Sequence, residues 1–186
     1  MSTQGLETSI TASRAVLANV TTEQLDGPTP CESWDVRSLI NHIVGAHHWF
    51  ASMAAGEPMD TAEIDFGSGD YLAAFDDSTA KSVAAFSSDG VLEKTITLPF
   101  GEFPGSAFMG LATTDTFQHA WDLAKATGQN TDLAPDFAAS LLAGAKRSIP
   151  AAFRGADGQS PFGAEVPAPE GACNADQLAA FLGRTP

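Results

Sequence analysis

The chain has 186 residues, 44% of them hydrophobic, with 23 acidic residues against 9 basic ones and a formal net charge of −14. This is enough apolar material for one domain with a true core and excludes general disorder, while the acidic balance disfavours nucleic acid and anionic membranes as partners. Two cysteines far apart, Cys31 and Cys173, exclude a disulfide framework and a zinc-finger thiol set, and point to a reducing cytoplasm.

No apolar run reaches the length of a bilayer span, and MSTQGLETSI is not a signal peptide by pattern. LETSITASRAVLANV predicts a first helix with Ile10, Ser13, Leu17 and Val20 on one stripe. LDGPTPCESW breaks it. A second helix, capped by Ser33 or Asp35, runs through DVRSLINHIVGAHHWFASMAAG. Leu39, Ile43, Ala46 and Phe50 form its inner face, and Gly56 and Pro58 end it. MDTAEIDFGSGD is a polar connection to a third helix, DYLAAFDDSTAKSVAAFSS, with Leu72, Phe75, Thr79, Val83 and Phe86 inward and a stop at Gly90.

KTITL alternates and is rich in β-branched residues, which predicts a short extended insert or a hairpin with Gly101 at its turn. Pro104–Gly105 opens a fourth helix that stops at Gly128. A fifth begins at Pro135, where proline is tolerated, and is kinked or ended by Pro150. RGADGQSPFGAEVPAPEGAC reads as loop, and NADQLAAFLG as a short last helix with Asn174 as cap and Gly183 as stop. The expected fold is all-α. Long helices with short connections predict a four-helix bundle with a short extended insert and a C-terminal tail helix, one domain over residues 1–186.

The chemistry is concentrated in TTDTFQHAWDLAKATG of the fourth helix. Residues four apart on a helix are offset by only about 40° and one turn in height. Asp115 and His119 can therefore address one point with a carboxylate and an imidazole, both ligands for a divalent transition metal. Asp122, on a similar face, can orient His119 or another ligand through a hydrogen bond. A third ligand has to come from another helix. Of His42, His47 and His48, His42 follows Leu39 by three and precedes the small pair Gly45–Ala46, which leaves room for a ligand; His48 is the weaker alternative. Pattern alone leaves the competing reading open, an ordinary helix-face contact.

TPCESWDVRSLINHIVG, HAWDLAKATGQ and the tail FGAEVPAPEGACNADQLAAFLGR together resemble an actinobacterial family of DinB-like metal-binding proteins. That family is similar to the N-terminal domain of mycothiol-dependent maleylpyruvate isomerase. The resemblance covers nearly the whole chain. It implies a DinB-like four-helix bundle holding one divalent metal, zinc or alternatively nickel, through His42, Asp115 and His119. The position of Asp115 is histidine in many superfamily members and glutamate in the isomerase. The resemblance further implies a thiol-dependent transferase or isomerase, with mycothiol as cosubstrate and a small-molecule electrophile as its partner. An open metal position can bind a thiol and hold it as thiolate for attack. The second domain of the isomerase is not found in this sequence, which favours a conjugating S-transfer over the identical reaction.

Two rivals stand beside that reading. One is a non-catalytic metal-binding or ligand-sensing bundle; the other is a metal-free scaffold that forms a homodimer through one helix face. Among the remaining residues, Trp34 and Trp121 read as packing anchors, Trp49 as either anchor or platform, and Cys31 as a small buried packing residue. Arg37 and Arg184 are expected in ion pairs with acidic neighbours, and Phe100 and Phe103 at the border of a site.

Overall fold

Capping chemistry sets the helix boundaries. The computed structural model describes residues 2–57, 64–155, 160 and 162–186. Among them run six α-helices and one hairpin. The first helix, α1, spans Gln4–Leu17, and α2 spans Val36–Ala55. Asp35 caps α2 by accepting the Ser38 N–H at 2.7 Å, so of the two expected caps it is Asp35 that starts the helix. Its next free N–H groups are also used: Val36 donates to the Gly27 carbonyl and Arg37 to that of Leu25. These bonds tie the loop bearing Cys31 and Trp34 to the start of α2. The end of α2 falls at Gly56; Pro58 and most of the following connection lie outside the described residues.

Helix α3, Tyr71–Phe86, is capped by Asp70. Strands β1, Thr95–Leu98, and β2, Gly101–Pro104, pair antiparallel with Leu98 opposite Gly101, so the insert is a hairpin turning at Pro99 and Phe100. Helix α4, Gly105–Ala126, follows without a linker. Gly105 is required there, because a Cβ would run into the Val91 carbonyl. Helix α5 spans Pro135–Ser148, ending before Pro150, and α6 spans Asn174–Phe181. The cap of α6 is Cys173, whose Sγ accepts the Asp176 N–H at 3.4 Å; Asn174 is the first helical residue. The C-terminal turn of α6 is a Schellman arrangement: Arg184 N–H bonds the Ala179 carbonyl and Gly183 N–H that of Ala180. Gly183 has φ 93° and lies against the backbone of Gly163, so both its conformation and its contact require the missing side chain.

The inner faces are close to the expected stripes, with small rotations. In α1 the buried set is Leu6, Ser9, Ser13, Val16 and Leu17; Ile10 is half-buried and Val20 lies beyond the helix. Ser9 faces α4, where its small side chain allows close approach, and its Oγ donates to the Thr113 carbonyl at 2.9 Å. In α3, Ser78 and Ser82 are buried, while Leu72 and Val83 are half-buried.

Helix α1 packs on α3 and α4, and α2 on α3 and α4, while α5 pairs with α6. Three apolar clusters result, and α4 belongs to all of them. Leu123 and Ala124 join the α1–α2–α3 cluster, Phe108 and Ala112 the hairpin cluster, and Phe117 and Trp121 the α5–α6 cluster. Residues 116–124 of α4 are buried without interruption. A helix buried on every side is a core element. Here that run includes Gln118, His119 and Asp122, polar groups that must find partners inside the protein. No helix among the described residues is long and apolar enough to cross a membrane.

Candidate metal centre

The polar groups of α4 meet the end of the tied loop, the middle of α2 and the C-terminal tail. One α-helical turn brings Asp115 and His119 together, with Asp115 Oδ1 3.5 Å from His119 Nε2. Across the interface with α2, His42 Nε2 lies 3.7 Å from Asp115 Oδ2. The rings of His42 and His119 stand edge to face at 4.6 Å between centroids. One ligand atom from each of His42, Asp115 and His119 can be chosen so that all three lie within 4.8 Å of one another.

His42 Nε2 is buried and has no hydrogen-bond partner. Such a group costs free energy unless something else satisfies it, and a divalent cation between the three side chains would do so. The three donors, two imidazoles and a carboxylate, are the set that zinc and related ions take.

The outer partners of His119 fix its orientation. Its Nδ1 is 2.9 Å from Asp122 Oδ2, which leaves Nε2 facing Asp115. Asp122 is fully buried and accepts from Gln118 at 3.1 Å, and from Nε and Nη2 of Arg184, each at 3.2 Å. Burial opposes charge on Asp122, but His119 and Arg184 outweigh it and hold the carboxyl below its usual range. Arg184, opposed by burial and favoured by Asp122, is raised. Burial likewise opposes both members of the inner pair. Their mutual attraction prevails, with His119 raised well above its ordinary value and Asp115 held far below the carboxylate range.

A second donor set, Cys31, His119 and Asp122, is also within reach of a common point. Its atoms are already engaged with each other and with Arg184: Cys31 Sγ is 3.4 Å from Asp122 Oδ2 and 3.9 Å from Arg184 Nη2. It offers no unsatisfied atom, whereas the first set does.

The three sequence-selected residues therefore converge, and Asp122 takes the orienting position expected of it. His48 turns away and stacks on Phe66 at 5.9 Å. His47 is buried elsewhere, between the Ser82 hydroxyl at 2.8 Å and the Thr116 hydroxyl at 3.1 Å. Its position three or four residues from Ile43 and Val44, on the buried stripe, was the available signal. Trp121, a packing anchor as expected, is buried and donates to Asp176 at 2.8 Å. Trp34 is more than an anchor: its ring packs on His42 at 4.5 Å and lies 5.6 Å from His119. Cys31 is half-buried in the loop before α2, in polar rather than apolar company. Arg184 forms its expected ion pair, with a buried partner.

On the other side of His42 and Asp115 opens a cavity of about 1110 Å³ between α2, the hairpin, α4 and α5. Trp49, Phe100 and Phe103 are among its walls, which places the two phenylalanines at the border of the site as expected.

The profile of the mycothiol maleylpyruvate isomerase N-terminal domain matches residues 6–124. That span contains His42, Asp115, His119 and Asp122, and leaves out α5, α6 and Arg184. Uncharacterised proteins from two strains of Mycobacterium tuberculosis are each 45% identical over 171 residues, which is 92% of this chain and 91% of theirs. No solved structure matches the chain. With a histidine, an aspartate and a second histidine converging inside the matched span, the chain belongs to the mycothiol maleylpyruvate isomerase N-terminal domain family.

Proposed function

We propose that the protein is a divalent-metal-dependent thiol S-transferase of the DinB-like class. In this reading α1–α4 act as its four-helix bundle, and mycothiol is the thiol, used in the cytoplasm by a single-domain protein. His42, Asp115 and His119 would hold the metal, zinc in the first instance. The observation that carries the reading is the buried, unpartnered Nε2 of His42, aimed at the Asp115–His119 pair.

A divalent ion held by His42, Asp115 and His119 would supply Lewis-acid stabilisation of a thiolate near neutral pH. The protein's own residues do the rest. Asp122 holds the His119 ring with Nε2 inward, Arg184 holds Asp122, and the Trp34 ring covers His42. The half-buried His42 and Asp115 leave an approach from the cavity, where an electrophile can meet the sulfur. In the transfer the sulfur would bond to the electrophilic carbon, the displaced pair would leave with a leaving group or move along the π system to its far atom, and the proton lost from the thiol would be returned from solvent to whichever of these takes the pair.

The test is metal analysis of protein purified without chelator, beside the His119→Ala variant, followed by mycothiol consumption with a panel of electrophiles. The wild type is expected to carry close to one equivalent and the variant little. Equal, negligible metal in both would remove the site. Metal retained without thiol consumption across the panel would favour the non-catalytic binding module.

A further inference from the structure

The cavity beside the centre has a chemistry of its own. His42 and Asp115 are the only titratable side chains on its walls among the described residues, and they sit together. Among the described residues the walls include no lysine and no arginine. The polar remainder is hydroxyl groups on α4 and α5, such as Thr114 and Ser140. Everything else is aliphatic, aromatic or glycine. An anionic substrate such as a dicarboxylate would be desolvated here with no cation from the protein to receive it.

Two further observations point the same way. Only three large hydrophobic side chains are exposed among the described residues, and two of them, Phe100 at 60% and Phe153 at 45%, belong to this cavity. They come from different segments, the hairpin turn and the short 3₁₀ turn Ala151–Phe153. Apolar side chains left in water around an opening are a feature of binding sites. In addition, Gly45, Gly110 and Gly144 line the cavity from the interiors of α2, α4 and α5. A glycine inside a helix weakens it relative to alanine. At all three, an added Cβ would meet no atom within 4 Å. No close packing among the described residues requires a glycine at these positions, and the space beside each is open.

We propose that this cavity binds an uncharged lipophilic molecule, with its hydrocarbon or aromatic body among the phenylalanines and its one polar end at His42 and Asp115. A volume of about 1110 Å³ suits a ligand at the large end of the drug-sized class. Identifying that molecule as the electrophile of the transfer rests on the S-transferase reading; the binding itself does not.

The experiment uses N-phenyl-1-naphthylamine, an uncharged dye that brightens in apolar surroundings, on the full chain with metal content measured on the same samples. One dye per chain is expected in zinc-loaded and in chelator-treated protein. Gly110→Leu and Gly144→Leu fill open space and strengthen their helices. Combined they are expected to weaken dye binding about tenfold or more, equivalent to about 1.4 kcal/mol, with each single change giving less. An α,β-unsaturated ketone with a hydrocarbon tail is expected to displace the dye, and maleate is not. Absent dye binding, binding unchanged by the double variant, displacement by maleate at lower concentration than the tailed ketone, or a dimer that shuts the dye out would each overturn the proposal. Dye binding intact in protein that never takes up metal would overturn the S-transferase reading alone.

Discussion

Two buried histidines, His47 of α2 and His119 of α4, meet at the same helix interface region with different partners. His47 is 1% exposed and His119 7%. His47 has two hydroxyl partners, Ser82 and Thr116; His119 has two carboxylates, Asp115 and Asp122. Burial disfavours the charged ring in both. At His47 that penalty outweighs the attraction of Asp115, and the ring is lowered to about 4. At His119 the carboxylates overcome it and the ring is raised. The same residue type in the same depth of core is thus a neutral packing group in one place and a member of a charged cluster in the other. Burial does not make a histidine a ligand; its partners do.

The largest effect expected from that contrast is on metal affinity. Loss of an orienting hydrogen bond alone typically costs 10–100-fold in affinity, so loss of a ligand in His119→Ala should cost more than about 100-fold. His47→Ala should leave affinity within about threefold, although it removes as much imidazole from the core. Competition with a chromogenic chelator reads both. Comparable losses in the two variants would erase the distinction.

The second effect is on the pH dependence of stability in chelator-treated protein. His47 is lowered in the folded state from 6.5 to about 4, so it resists a proton that the unfolded chain accepts. Its contribution is present above pH 6.5 and is lost as pH falls from 6.5 towards 4, by about 3 kcal/mol in total. His119, being raised, acts oppositely: its contribution is present below its unfolded value and lost as pH rises through its folded value. The difference between wild type and His47→Gln in urea unfolding isolates the first term. That difference should shrink as pH falls through this window; a constant difference would mean that the His47 ring is not held neutral.

A smaller effect is expected one bond further out. Asp122→Asn keeps the shape of the side chain and removes the charge that His119 Nδ1 and Arg184 both face. Metal affinity should fall by about 10–100-fold, by the loss of ligand orientation. A loss as large as that of His119→Ala would make Asp122 a ligand instead.

The inner pair of the site was legible because helical pitch is local: Asp115 and His119 meet by spacing alone. His42 stands out among three histidines by its room beside Gly45 and Ala46, and the family resemblance implies the same residue. What was not legible depends on distance in the chain. Trp34 and Cys31 reach the centre only because the Gly27 and Leu25 carbonyls bind the first turn of α2. Arg184 reaches Asp122 across 62 positions, through a Schellman turn at Gly183. Both are tertiary arrangements that no periodicity encodes. The helical segments themselves followed from caps and apolar spacing; on α1 the expected Ser13, Leu17 and Val20 are buried, Ile10 is half-buried, and Ser9 joins the buried face by bonding the Thr113 carbonyl of α4.

The smallest expected effect separates the two donor sets that share His119. If Cys31, His119 and Asp122 formed the metal site, Cys31→Ala would remove a ligand and a Co²⁺-substituted protein would show a sulfur-to-metal charge-transfer band in the near ultraviolet. The site formed by His42, Asp115 and His119 predicts neither. Cys31 then contributes only a weak sulfur contact to Asp122 at 3.4 Å, a carboxylate that Arg184, Gln118 and His119 already satisfy. Its removal should cost about 1 kcal/mol or less of stability and leave metal affinity within about threefold. The cobalt spectrum of the wild type should lack the thiolate band. Its presence would move the metal from the cavity side of His119 to the side where Asp122 is fully enclosed.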